Sequence, residues 1–564
     1  MSPPTHPFLP TGAFSRFRFS FSPWSVALFG VALAVALPIL IVLGHVVVPT
    51  QGIWEHLAST VLPRYLVNTL WLTVGVGLGT LVLGAGCAWL VVMCRFPGKR
   101  VFEWALLLPL AVPTYVIAYA YTDFFQVAGP FQSALRAWFD WQYGDYYFPN
   151  IRSLGGAATL ITFVLYPYVY LLARASFLEQ SVGMLDVGRT LGRGPWRLFF
   201  SVALPLSRPA LVGGVALALM ETLNEFGAVQ FFGVDTFTTG IYRTWFGLGE
   251  PVAAAQLAAC LLSFVIVLVL LEQFSRGKRR YFHASSRYQA LPEYALTGPR
   301  AVAAALACFV PVFIGFLLPS GILLELALRQ GDALLGTRFL RFALNSLGLA
   351  SIAALIAVAL AVVLSYSVRL NDTPAARLFT RVAAMGYAIP GSVVAVGILI
   401  PFAWLDSTLN TWLHARYGVI VGLVFSGTAF ILVYAYVVRF LAVSFNAVEA
   451  SLGKVTPSMD AASRTLGHSA GSTLKRVHTP LMRSSLFAAG ILVFVDVMKE
   501  LPATMILRPF NFDTLAVRAH SLASDERLAE ASTASLAIVL VGIVPVILLS
   551  LAMRRAKPSR DTEK

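Results

Sequence analysis

Ionisable residues interrupt two long apolar stretches of the sequence, and their spacing is repeated. One group lies 13 to 17 positions after Arg208, and the other lies at the same interval after Arg483. In an α-helix a residue 13 positions along is about 20 Å from the start, which is membrane depth. The groups are Glu221, Asn224 and Glu225 in the first stretch and Asp496, Lys499 and Glu500 in the second.

Carboxylates at that depth, on matching helix faces, would attract a cation and line a narrow translocation pathway. Lys499 is expected to neutralise one carboxylate when the passage is empty. Gly227 and Pro502 follow the two groups, and we expect them to break the helices there and help to form a gate. In the alternative, these residues pair structurally between helices or lie at the outer membrane surface.

Composition indicates that these residues lie in a membrane. Hydrophobic residues make up 58% of the 564 positions and charged residues only 12%, with a mean hydropathy of +0.76. A soluble chain of this composition would expose large apolar patches. The net charge of +15 clusters beside apolar segments, which indicates membrane orientation rather than nucleic-acid binding.

The cysteines give no sign of catalysis, of a disulfide framework or of a metal site. All four fall within apolar runs and lack CxxC spacing, so we expect buried thiols. They are Cys87, Cys94, Cys260 and Cys308.

Twelve apolar segments are long enough to cross a bilayer core of ~30 Å. The predicted fold is therefore an all-α, multi-pass membrane protein. Placing both termini in the cytosol puts most Lys and Arg residues on the cytosolic side. The predicted spans are residues 25–48, 67–94, 102–124, 153–176, 208–232, 253–273, 300–327, 344–369, 377–403, 418–444, 484–507 and 533–553.

The two halves of the chain repeat each other. Asn68 opens the second span and Asn345 opens the eighth, while Pro113 and Pro390 occupy matching places in the third and ninth. Six spans per half make the repeats parallel, as in several transporter folds. The predicted organisation is a cytosolic tail (1–24), a first half (25–273), a cytosolic linker (274–299), a second half (300–553) and a basic cytosolic tail (554–564).

A second pair of repeated segments occupies the cytosolic loops at 181–208 and 455–483. In each loop an acidic residue can cap or complement a short helix, a glycine can end it in a left-handed turn, and a later proline starts the next span. The resulting helix–turn–helix is suited to a groove on a partner protein. The residues are Asp186, Gly188, Gly192 and Pro205 in the first copy and Asp460, Ala462, Gly467 and Pro480 in the second.

These loops resemble the EAA loop of the binding-protein-dependent ABC importer permeases. The resemblance implies docking of a separate cytosolic ATPase, expected as a homodimer, whose closure moves the pore. The first copy departs from the family pattern at Val187 and Gly188, and the second has Ala461 where the acid usually stands. Because no GxxxxGK[ST] phosphate loop occurs in the sequence, we expect no catalytic residue, no enzyme activity and no cofactor, with ATP used by the partner.

Residues 220–227, 499–504 and 508–516 narrow the resemblance to the fused, twelve-span ferric iron permeases. This implies a type I importer fold in the cytoplasmic (inner) membrane, alternating access, and a periplasmic ferric-binding protein. Arg243 and Arg518 are then candidate contacts for that protein, although ordinary solvated loops are an open alternative.

Carboxylates are hard oxygen ligands suited to a small trivalent cation. A transient Fe³⁺ site is therefore predicted at Glu221, Glu225, Asp496 and Glu500. Two alternatives remain: an ABC permease for thiamine or another small solute, and an ion-coupled secondary transporter that needs no ATPase.

Overall fold

The computed structural model describes residues 22–50, 52–179, 194–276, 293–330 and 336–555, without the side chains of residues 179, 195, 196, 276, 330, 549 and 552–555. Nearly all of this is helical. The helices of the first half are α1 (Pro23–Gly44), α2 (Ile53–Thr60), α3 (Leu62–Met93), α4 (Lys99–Ala105), α5 (Thr114–Phe125), α6 (Pro130–Phe139), α7 (Leu154–Glu179), α8 (Pro195–Leu198), α9 (Leu204–Leu206), α10 (Arg208–Asn224), α11 (Gly227–Phe231), α12 (Phe237–Tyr242) and α13 (Pro251–Arg276).

The second half follows the same order. Its helices are α14 (Pro299–Val312), α15 (Leu318–Gln330), α16 (Thr337–Leu370), α17 (Pro374–Ala383), α18 (Gly391–Tyr417), α19 (Ala429–Leu452), α20 (Pro457–Thr465), α21 (Ala470–Thr473), α22 (Thr479–Met498), α23 (Pro502–Leu507), α24 (Leu515–Ser524) and α25 (Leu528–Arg555). Short π-helical turns join α8 to α9, α14 to α15 and α21 to α22.

Ten helices in the described ranges are long and apolar enough to cross a membrane, and two sharply bent pairs raise the number to twelve. Many of their large apolar side chains are exposed, such as Leu78, Val82 and Leu355. Exposure of this kind is stable in lipid, where helices satisfy their own backbone hydrogen bonds. The predicted all-α, multi-pass fold is confirmed.

The third predicted span, 102–124, is not straight. The segments Lys99–Ala111 and Thr114–Phe139 are together long and apolar enough to form one span, but they are bent by 90° relative to each other. Pro109 and Pro113 explain the break, because proline lacks an N–H and forces the preceding residue out of the helical region; Val112 is extended. Pro390 interrupts the ninth span likewise, and α18 then continues to Tyr417, well past the predicted end at 403.

Two compact units can be distinguished in the chain. One comprises Met1–Leu37, Ile352–Tyr387 and Tyr436–Val493, and the other comprises Pro38–Ser351, Ala388–Ala435 and Phe494–Lys564. A small core in the first unit contains Tyr366, Leu452, Val455 and Met482.

The second unit is built around close packing of α3 on α7, with α10 against both. At Gly84 on α3, an added Cβ would lie 2.6 Å from the Val169 Cβ and 2.9 Å from the Tyr166 carbonyl oxygen. Small residues allow such backbone approach in membranes. Cys87 and Cys308 belong to the surrounding core; Cys94 is also a buried free thiol and Cys260 is partly buried.

The sequence repeat has a structural counterpart. The Asn68 side chain donates a hydrogen bond to the Asp235 carbonyl oxygen at 2.9 Å. Asn345 donates to the Asp513 carbonyl oxygen at 3.0 Å. Each acceptor immediately precedes the threonine at the N-cap of a short helix, α12 or α24. The repeated asparagines therefore fix equivalent helices in the two halves.

The end of the predicted linker pairs with the first half. Strand β1 (Cys94–Arg95) and strand β2 (Tyr294–Ala295) form a two-residue parallel ladder. Lys99 Nζ lies 3.0 Å from the Glu293 carboxylate beside it. Residues 277–292 of the linker lie outside the described part of the chain.

Gly84→Leu should destabilise the protein, because the new side chain has to displace backbone atoms of α7. Overpacking of this kind typically costs about 1–3 kcal/mol. Gly86→Leu is the matched control, since nothing lies within 4 Å of its added Cβ. Thermal unfolding in detergent should show a lower Tm for the first variant only. Equal Tm values would contradict the proposed close packing.

Candidate functional site

The first ionisable group lies at a helix break. Helix α10 ends at Asn224, Glu225 is extended, and α11 begins at Gly227. One Glu225 carboxylate oxygen accepts the Ala228 N–H at 2.8 Å, and the other accepts the Thr114 hydroxyl. The side chain therefore caps the short helix that follows the break.

The second group lies at an equivalent break between α22 and α23. One Glu500 carboxylate oxygen accepts the Ala503 N–H at 2.9 Å. The other accepts the Thr504 N–H at 3.0 Å and the Thr504 hydroxyl at 2.5 Å. Glu500 is only 4% exposed. Both predicted breaks are thus confirmed, and each is capped by the glutamate that precedes it.

These caps have a clear physical purpose. Breaking a helix at membrane depth leaves N–H groups without partners, each costing several kcal/mol in an apolar medium. A carboxylate can accept two or more such hydrogen bonds and also favours the positive end of a helix dipole.

The four acids of the predicted constriction have different local partners. Asp496 pairs with Lys499 at 3.0 Å, as expected for a neutralised acid, and Glu221 also acts electrostatically on the Lys499 ammonium. Among the described residues, no three His, Cys, Asp or Glu side chains are placed to hold a metal ion. The transient Fe³⁺ site at Glu221, Glu225, Asp496 and Glu500 stays a prediction, and two of these acids, Glu225 and Glu500, also cap helices.

The two breaks meet other elements in one layer. A Cβ added to Gly227 would lie 2.6 Å from the Tyr115 Cβ and 2.7 Å from the Leu501 Cδ2. The Asn224 side-chain oxygen accepts the Gly391 N–H at 2.7 Å. Helix α5 packs on α11 and α18 packs on α23. The starts of α5 and α18 therefore contact both helix breaks. These four segments together form the layer.

Sequence reasoning missed Thr114, Tyr115 and Gly391 as members of this layer. A usable signal was present, because Thr114 and Gly391 immediately follow the two repeated prolines, Pro113 and Pro390. A helix that restarts after a proline has free N–H groups, and these require partners in the membrane.

The second repeated loop, 455–483, has the predicted helix–turn geometry. Helix α20 ends before Gly467, which has a φ of 79°. The Gly467 N–H donates to the Arg464 carbonyl at 3.0 Å and the His468 N–H donates to the Ser463 carbonyl at 3.1 Å. This pair of hydrogen bonds defines a Schellman turn, in which glycine avoids a steric penalty.

Asp460 does not cap α20. Its carboxylate instead links α20 to Arg369 on α16 and to His478 in the π-helical turn before α22. Its carboxylate accepts the Arg369 Nε–H at 2.8 Å and contacts His478 Nε2 at 2.6 Å. Burial alone would raise the pKa of Asp460, but the hydrogen bonds from Arg369 and His478 outweigh it and hold the pKa below its usual value. Arg369 also donates to the Leu452 and Val455 carbonyls.

Helix α20 presents apolar surface to solvent. Leu466, beside the turn, is 77% exposed, and Met459 is also exposed. Ala462 lies on the same helix with an exposed side chain. Exposed leucine and methionine beside a rigid turn are typical of a helix that docks onto another protein.

The two repeated loops join the next spans differently. Residues Ala470–Met498 form one candidate span, in which Pro480 is the second residue of α22. In the first half, the helix containing Pro205 meets α10 at a 68° bend. Pro209 explains the difference, because Ser484 occupies its place in the second half. Asp186, Gly188 and Gly192 lie outside the described residues.

The two outer arginines lie in different environments. Arg243 is exposed and pairs with Asp235 at 3.0 Å, and Arg64 pairs with the same carboxylate at 3.3 Å. Arg518 is half-buried, with its guanidinium 5.7 Å from the centre of the Phe342 ring. Their equivalence in sequence does not extend to equivalent contacts, and their role in docking stays a prediction.

Discontinuous membrane helices, with a helix–turn between two spans, are typical of transport permeases. Residues 80–280 match the family model described as "Binding-protein-dependent transport system inner membrane component". The chain belongs to this family of ABC importer permeases.

Some relatives match most of the chain and others match about a third of it. The Fe(3+)-transport system permease protein FbpB 2 of Haemophilus influenzae is 26% identical over 86% of this chain and 89% of its own length. The ferric transport system permease protein FbpB of Actinobacillus pleuropneumoniae is 23% identical over 82% and 67%. The molybdenum transport system permease protein ModB of Escherichia coli is 30% identical over 34% and 82%.

Glu500→Ala should lower thermal stability, because it leaves the Ala503 and Thr504 N–H groups without an acceptor. Loss of a helix cap costs about 0.5–2 kcal/mol, and Glu500→Gln should fall between the alanine variant and the wild type. Glu325→Ala, at an exposed carboxylate, is the control. Unfolding in detergent measures the effect. If Glu500→Ala unfolded like the control and yet lost transport, the carboxylate would act on the cargo instead.

Proposed function

We propose that the chain is the membrane permease of an ATP-driven importer that takes up ferric iron from a soluble binding protein. The observation that carries this proposal is similarity along nearly the whole chain, through both halves, to permeases named for Fe(3+) transport. Other named substrates belong to relatives that match only about a third of the chain.

Alternating access gives each element a role. A separate ATPase, proposed as a homodimer, binds the cytosolic loops and hydrolyses ATP, so the permease itself is not the enzyme. The exposed surface around Leu466 supports this docking site. Both termini and loops 181–208 and 455–483 then lie in the cytosol and the chain lies in the inner membrane, as charge distribution favours.

The layer of capped helix breaks is proposed as the gate. Contacts among Asn224, Gly227, Tyr115 and Leu501 close the centre of that layer. Separation of the two halves would open it without unfolding either cap, because each glutamate caps a helix of its own half. Asp496, Lys499 and Glu221 remain candidate pathway residues for a cation in transit.

A second candidate is an importer for an oxyanion. The molybdenum permease is more identical to this chain over its shorter match. Thiamine, or another small solute, remains a further cargo to test.

Uptake in proteoliposomes should separate these cargoes. Purified permease and ATPase, with the matching binding protein outside the vesicles and ATP inside, should accumulate radiolabelled ferric ion but not molybdate or thiamine. Omission of ATP should abolish uptake, since closure of the ATPase drives opening. Uptake without ATP, driven by an ion gradient, would instead indicate a secondary transporter. Selective molybdate or thiamine uptake would reassign the cargo.

Leu466→Asn should reduce ATPase binding by at least tenfold, because burying a large apolar side chain at an interface contributes about 1.5–3 kcal/mol. Leu328→Asn is the matched control, at a leucine that is 79% exposed far from the cytosolic loops in sequence. Co-purification and titration of the ATPase measure the effect. Equal affinities for both variants would show that α20 does not carry the docking surface.

A further inference from the structure

An apolar cavity of about 450 Å³ opens on the second unit, within the ~300–1,000 Å³ typical of small-molecule sites. Its wall combines helices from both halves of the sequence. The apolar lining comes from α5, α7 and the turn leading into α15, and includes Tyr121, Phe125, Leu160, Phe163, Ile314 and Leu318.

A polar cavity of about 490 Å³ adjoins the apolar one. The two share Phe125 and residues 148–151 in their walls. Tyr143, Tyr147 and Arg152 line the polar cavity only. The combined space is therefore amphipathic, with an apolar channel among membrane helices and a polar mouth formed by the segment between α6 and α7.

The polar mouth carries a positive charge. The Arg152 guanidinium lies 4.9 Å from the centre of the Phe231 ring, and no carboxylate in the described ranges forms an ion pair with it. Its side chain is exposed. An anionic group at the mouth would gain a charge-assisted hydrogen bond there.

Aromatic residues place the mouth at the membrane surface. Trp138, on α6, is 82% exposed and Tyr147 is 91% exposed. Exposed tryptophan and tyrosine are enriched where the hydrocarbon core meets the headgroups. A ligand in the combined cavity would thus have its apolar part in the bilayer and its charged part at headgroup level.

We propose that the two adjoining cavities bind a phospholipid with an anionic headgroup, its acyl chain between α5, α7 and α15 and its phosphate at Arg152. The lipid contacts the first and second halves together, because Ile314 and Leu318 belong to the second half and the other walls to the first. It joins the halves at a site separate from the gate. The binding does not depend on which cargo is carried.

Native mass spectrometry of the detergent-purified chain, titrated with phosphatidylglycerol or phosphatidylcholine, tests this site. Wild-type protein should retain one phosphatidylglycerol more tightly than phosphatidylcholine, by about tenfold. Arg152→Gln should remove that preference. Gly155→Phe, whose added Cβ has only the Ser153 hydroxyl within 4 Å, should fill the apolar cavity and remove the tight site for both lipids.

Matched controls come from α16. Arg341→Gln removes another exposed arginine, and Gly348→Phe adds the same ring at a glycine with nothing within 4 Å; neither residue lines the cavities. Both should bind lipid like wild type. Equal lipid retention by all variants, or equal affinity of the wild type for the two lipids, would overturn the proposal. A dimer disrupted by Gly155→Phe would overturn it also, by assigning the cavity to a second copy of the chain.

Discussion

A helix interrupted inside a bilayer must find new partners for its backbone N–H groups, and this requirement governs the centre of the molecule. At both breaks a glutamate supplies the acceptor, because its carboxylate accepts N–H groups from the first turn of the helix that follows it. The cost of leaving those groups unpaired in hydrocarbon is several kcal/mol each. Breaks are therefore tolerated only where an acceptor is fixed beside them.

This constraint also changes the electrostatics of the passage. One of the four acids, Asp496, is paired with Lys499, which offsets its charge. The layer is therefore less negative than a count of its acidic residues indicates. Selectivity for a cation would then depend more on delivery by a binding protein than on a fixed ligand cage, which agrees with the proposed mechanism of import.

Much of the fold follows from local sequence signals. Hydropathy predicted the spans, repeated residues predicted the two halves, and Gly467 predicted the left-handed turn after α20. What local signals missed was pairing across long separations. The contact of Arg369 with Asp460 spans 91 positions and that of Thr114 with Glu225 spans 111. From the sequence alone, an arginine beside a span is most simply interpreted as a topology signal, and a glutamate within a span as a cation ligand. Only tertiary packing shows that these residues pair within the protein.

The single exchange of Pro209 for Ser484 has a mechanical consequence. In the first half, the helix that contains Pro205 meets α10 at a bend of 68°, whereas in the second half one candidate span runs from Ala470 to Met498. A bend can absorb part of a displacement, while a continuous helix transmits it along its axis. Under the proposed mechanism, an equal displacement of both loops would therefore move the second half more than the first.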